Sequence, residues 1–228
     1  MIFLVLYFIN AVLTVFAEQA EFRMVMYVSK VLMMPLLALY LFSSTKKVKD
    51  FKFIYLALFF SWWGDIFLMF PRDETVPEKA KMLFIFGLIS FLIAHINYII
   101  YFVSEVKNKP KVTVIVEKPY LILFFILYGI LFLRILYPGL GIMKLPVTVY
   151  GIIIISMLIA AFNRKNIVTD SSFYYVFAGA FIFLFSDSCI AINLFYQPFE
   201  LARMVIMVTY IIAQYLIITG VIKNIQTE

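Results

Sequence analysis

Eight stretches of this chain are apolar almost without a break, and each is close to the length of a membrane-crossing helix. They run at about Ile2 to Ala17, Met24 to Phe42, Phe53 to Phe70, Met82 to Val103, Tyr120 to Leu136, Leu145 to Phe162, Phe173 to Tyr196 and Met204 to Ile222. A hydrocarbon core about 30 Å thick takes about 20 apolar residues to cross. Eight spans therefore use most of the 228 residues and leave only short loops. With 65% hydrophobic and 14% charged residues, against about 25% charged in a typical soluble domain, the expected fold is an all-α polytopic membrane protein of about eight transmembrane helices. It forms a single integral membrane domain, residues 1–228. The first stretch ends at Val15-Phe16-Ala17, like a signal-peptide cleavage site, but no basic residue precedes it, so it reads as a retained span.

Charge sets the orientation. The 19 Lys and Arg against 13 Asp and Glu give +6, which in a membrane protein reflects basic cytoplasmic loops rather than nucleic-acid binding. An even number of spans puts both termini on one side. Lys46, Lys47, Lys49, Lys52, Lys107, Lys109, Lys111, Lys118, Arg164, Lys165 and Lys223 lie on that side, and only Arg23, Arg72, Lys79, Lys81, Lys144 and Arg203 on the other. Both termini are expected in the cytoplasm, in a cytoplasmic (inner) membrane. The single cysteine, Cys189, and single histidine, His95, exclude a disulfide framework, a multi-cysteine zinc site and any site needing two histidines. No P-loop or dinucleotide fingerprint occurs.

The informative residues are the polar ones inside the spans. Asp65 lies in the third, His95 in the fourth and Asp187 in the seventh. A mid-membrane aspartate costs about 2.5–3.5 kcal/mol on insertion scales, so such residues normally face a bundle interior or wet cavity and serve a purpose. Lys30, near the outer end of the second span, either joins them or snorkels to the interface. A purely structural reading pairs Lys30 with Asp65 and His95 with Asp187 to lock helices together. Helical spacing places Ser61 and Met69 with Asp65, Phe91 and Tyr98 with His95, Ala191 and Leu194 with Asp187, and Tyr210 with Gln214. Such an apolar pocket with few polar groups suits a long-chain amphiphile better than a sugar or a metal ion. Ser186 and Ser188 lack the Gly-x-Ser-x-Gly elbow of a serine hydrolase.

The halves of the chain echo each other. Asp65 and Asp187 differ by 187 − 65 = 122 positions, His95 and Gln214 by 214 − 95 = 119, and Tyr27 and Tyr150 by 150 − 27 = 123. Two parallel four-helix repeats, 1–110 and 111–228, are the corresponding expectation, with the two aspartates facing each other about an axis along the membrane normal.

Gly64-Asp65, Ala94-His95-x-x-Tyr98, Phe185-Ser186-Asp187 followed by Ala191, and Tyr210-x-x-Ala213-Gln214 with Gly220 together resemble the YhhN-like lysoplasmalogenase family, over essentially the whole chain. Members often carry Lys-Pro near the start of span two, whereas here Lys30 is followed by Val31 and the proline comes at Pro35. The resemblance implies hydrolysis of the vinyl-ether bond of a lysoplasmalogen to a fatty aldehyde and a glycerophospho-alcohol. The substrate partner is then a lysophospholipid drawn from membrane lipid.

Vinyl ethers resist nucleophiles but yield to acid, so the reaction needs one carboxylic acid and one carboxylate, which paired Asp65 and Asp187 are suited to supply. His95 would orient a carboxylate or shuttle the proton. Tyr98, Tyr210, Gln214 and Ser186 would hold water or substrate, and Lys30 would contact phosphate. No metal or organic cofactor is required. The rival reading is a proton-coupled transporter or lipid translocator that uses the same intramembrane Asp and His residues.

Overall fold

The computed structural model describes residues 1–46, 49–70, 77–107 and 111–225. Lys47, Arg72 and Lys109 of the charge tally lie outside these. Among the described residues there are nine α-helices and no strand. They are α1 (Ile2–Gln19), α2 (Arg23–Thr45), α3 (Lys52–Met69), α4 (Pro77–Lys107), α5 (Val114–Glu117), α6 (Ile122–Leu136), α7 (Lys144–Phe162), α8 (Asp170–Phe195) and α9 (Ala202–Ile225). Seven of the helices, and α6 taken together with the single turns that flank it (Pro119–Gly139), are long and apolar enough to cross a membrane, which gives the eight expected spans of an all-α polytopic protein. At 31 residues α4 is the longest. Its rise of 1.5 Å per residue gives about 46 Å, so it outruns the hydrocarbon core.

The chain forms two compact units, Met1–Tyr98 and Ile99–Glu228. In the first, α1 carries a polar stripe at helical spacing: Tyr7, Asn10, Thr14 and Glu18 are all buried. The stripe is stitched to α2 where the Asn10 amide donates to the Ser29 carbonyl at 2.7 Å. Within α2, Pro35 has no N–H to give Val31, four residues earlier. The Trp62 indole of α3 fills the gap, donating to the Val31 carbonyl at 2.8 Å. In lipid, where an unsatisfied carbonyl finds no water, that cross-helix donor is what makes a mid-helix proline tolerable.

In the second unit, small residues let α8 and α9 approach to backbone contact, the usual means of helix association in lipid. A Cβ on Gly179 would lie 2.9 Å from the Ala213 carbonyl oxygen, and one on Gly220 would lie 2.9 Å from the Val176 nitrogen. At one end of this unit Arg164, fully buried, grips Glu105 with two donors at 2.8 and 3.2 Å and the Ser172 hydroxyl at 2.8 Å. Asn224 of α9 donates to the same Glu105 carboxylate at 2.9 Å. Four stretches of chain thus meet on one ion pair. Arg164, which enters the charge tally as a loop residue, is a buried structural cation.

Candidate functional site

Gly64 explains how Asp65 meets the fourth span. A Cβ there would lie 2.6 Å from the Phe91 ring, so glycine lets α3 and α4 close up one residue before the aspartate and one turn before His95. Asp65 is 4% exposed and His95 fully buried. Ser61, Met69, Phe91 and Tyr98, expected on the same faces, are buried too. Tyr7 of α1 stands within electrostatic reach of both Asp65 and Tyr98. Lys30 is seven residues into α2, about 10 Å along the helix, and is only 7% exposed. It sits inside the first unit, not at the rim where a snorkelling lysine ends.

The second unit holds Asp187 in a different setting. The Tyr150 hydroxyl of α7 donates to its carboxyl group at 2.5 Å. Tyr128 of α6 and Ser188, the next residue, share a hydrogen bond of 2.7 Å, and Ser188 also donates to the Leu184 carbonyl at 2.6 Å. Both tyrosines, Asp187 and Ser188 line a cavity of about 470 Å³ between α6, α7 and α8, whose remaining wall is almost entirely aliphatic. Ala191 lies in that wall as its spacing from Asp187 implies, whereas Leu194 is exposed.

Ser186 points away from this cavity: its hydroxyl donates to the Ile206 carbonyl of α9 at 3.0 Å, fastening α8 to α9. Gln214 and Tyr210, both buried on α9, meet at 3.5 Å, the amide donating to the phenol oxygen. Cys189 is a buried free thiol. Among the described residues no group of three or more His, Cys, Asp or Glu is placed to hold a metal ion.

Three tyrosines escape an inspection that looks only for charged groups. Tyr150 enters the sequence analysis as a repeat partner of Tyr27, yet Tyr27 packs against the Ala17, Met26 and Met69 cluster while Tyr150 bonds Asp187. Tyr128 carries no sequence signal beyond its hydroxyl. Tyr7 does, since it starts the polar stripe of α1.

The chain matches the YhhN family over residues 25–221. It belongs to that family. The matched segment contains Lys30, Asp65, His95, Tyr150, Asp187 and Gln214, and excludes Tyr7. No curated protein and no solved structure matches the chain. YhhN is the lysoplasmalogenase family, and membership points to a hydrolase embedded in the membrane. Within this YhhN protein the conspicuous polar feature of the second unit is a carboxyl group, bonded to a phenol, in the wall of an apolar cavity.

Proposed function

We infer that this YhhN protein hydrolyses the vinyl-ether bond of a lysoplasmalogen-type lysophospholipid. The observation that carries the reading is the Tyr150–Asp187 pair set in an aliphatic cavity, because an acid is needed where only hydrocarbon is otherwise accommodated. A proton delivered to the β-carbon turns the vinyl ether into an oxocarbenium ion. Water adds to the adjacent carbon and loses a proton, and the hemiacetal then breaks its carbon–oxygen bond to release a fatty aldehyde and the glycerophospho-alcohol. One carboxylic acid and one carboxylate suffice, and Asp187 and Asp65 are the residues assigned to these roles. His95 serves as proton shuttle or positioning group. Tyr98, Tyr210, Gln214 and Ser186 are assigned to water and substrate, and Lys30 to phosphate.

Purified protein in detergent, given a lysoplasmalogen, is expected to release free aldehyde, measured with a coupled aldehyde dehydrogenase. The saturated alkyl-ether analogue should bind without cleavage, because it has no double bond to protonate. An ester-linked lysophospholipid should yield no fatty acid. Rapid fatty-acid release from the ester would overturn the reading in favour of nucleophilic hydrolysis, and a complete lack of aldehyde would remove the hydrolase altogether.

A further inference from the structure

The cavity beside Asp187 is shaped for something long and apolar. Ile126 and Leu133 of α6, Gly151 and Ile154 of α7, and Leu184 and Ala191 of α8 supply much of its surface. Its hydroxyls already have partners: Tyr150 on Asp187, Tyr128 with Ser188, and Ser156 on the Ile152 carbonyl at 2.7 Å. A sugar or a headgroup entering there would lose hydration without replacing it, whereas a hydrocarbon chain loses none. Ile126 and Ile152 are 45% and 57% exposed, so the rim between α6 and α7 opens towards the bilayer. A lipid chain can enter sideways without crossing water.

Two glycines line this space and differ in kind. A Cβ on Gly129 would lie 2.6 Å from the Ile155 Cδ1, so that glycine permits α6 and α7 to touch. A Cβ on Gly151 would meet nothing within 4 Å. Packing does not require glycine there, and glycine is the weakest helix former short of proline. What it leaves is room, one residue from Tyr150.

We propose that the cavity between α6, α7 and α8 holds the alkenyl chain of the lipid substrate, and that the absence of a side chain at Gly151 sets how much chain fits beside the Tyr150–Asp187 pair. This assignment rests on the vinyl-ether hydrolase reading and adds the site of the chain to it. Gly151 touches no reacting atom and is a specificity-determining residue.

The test uses Gly151→Leu and Gly151→Phe, with Ala191→Leu filling the same space from α8 in case either α7 variant folds poorly. Turnover is measured in micelles for hexadecenyl and octenyl lysoplasmalogens. Filling the cavity should lower kcat/KM for the hexadecenyl substrate by about tenfold or more, while the octenyl substrate keeps most of its rate. Leu145→Phe, on the same helix but 74% exposed and outside the cavity, should leave the ratio unchanged. In parallel, a hexadecyl-ether lysophospholipid carrying a terminal diazirine, which cannot be cleaved, is photocrosslinked to the protein. It should label α6, α7 or α8 in the parent chain and lose that labelling in Gly151→Phe. Aldehyde release with equal losses at both chain lengths, or labelling unaffected by all three variants, overturns the chain site and leaves the hydrolase reading intact. Cavity labelling that Gly151→Phe blocks, in a protein that releases no aldehyde, sinks the hydrolase reading while the chain site stands.

Discussion

A carboxyl group held among aliphatic side chains is stable only if something nearby compensates for the lost water, and at Asp187 the Tyr150 hydroxyl contributes to that compensation. A hydrogen bond to a charged group is worth about 1.5–3 kcal/mol, roughly a ten- to hundredfold effect if it positions the carboxyl for reaction. Tyr150→Phe should therefore reduce kcat by about that factor while the protein still inserts and elutes as folded in detergent. Asp187→Asn and Asp65→Asn keep the shape but cannot exchange the proton, so each should lower kcat by about a hundredfold or more. Either asparagine variant retaining most of the parent turnover would strike that residue from the acid–base chemistry. Asp65 and Asp187 stand out in the sequence because charge is rare in a span. Tyr150 does not, because one tyrosine among 15 looks like any other until a carboxylate is seen against it.

At the scale of elements, the join between α2 and α3 makes a sharper statement about energetics than any hydrophobic contact. Trp62 satisfies a carbonyl that Pro35 orphans, so the two residues should be coupled although neither touches the other's hydrogen bond. Trp62→Phe should destabilise the protein by about 1–3 kcal/mol, the cost of a buried acceptor left without a donor. In a Pro35→Ala background the helix regains its own N–H, and the same Trp62→Phe change should cost much less. A double-mutant cycle on thermal unfolding in detergent measures the difference, and equal costs in both backgrounds would show that the indole acts only through packing. In the sequence Pro35 stands out only as a departure from the family pattern, and Trp62 as one aromatic residue among many. Their link was not legible there because it runs through the backbone carbonyl of a third residue, Val31, 31 positions before Trp62. Span positions were legible, since each is an unbroken apolar run. The ends of α4 were not: Glu78, Lys79 and Lys81 before it, and Glu105 and Lys107 after, continue the helix beyond the apolar run that marks the span.

For the whole molecule, eight spans put both termini on the same side, and the surplus of basic residues in the loops of that side predicts that both face the cytoplasm. Fluorescent-protein fusions at each end should both fluoresce, and alkaline phosphatase fusions at the same ends should both be inactive. A phosphatase-positive fusion at one end only would break the eight-span count, and one at both ends would reverse the orientation. The Arg164–Glu105 clasp also bears on how such a chain is made. Ribosomes deliver sequence in order, and the two residues are 59 positions apart. At about 5–20 residues per second, Glu105 emerges some 3–12 s before the guanidinium that will hold it. Asn224, 119 positions after Glu105, follows later still. Through that interval the carboxylate needs water, so the end of α4 that carries it has to wait at the membrane surface. The clasp is completed only after Asn224 of α9 has emerged.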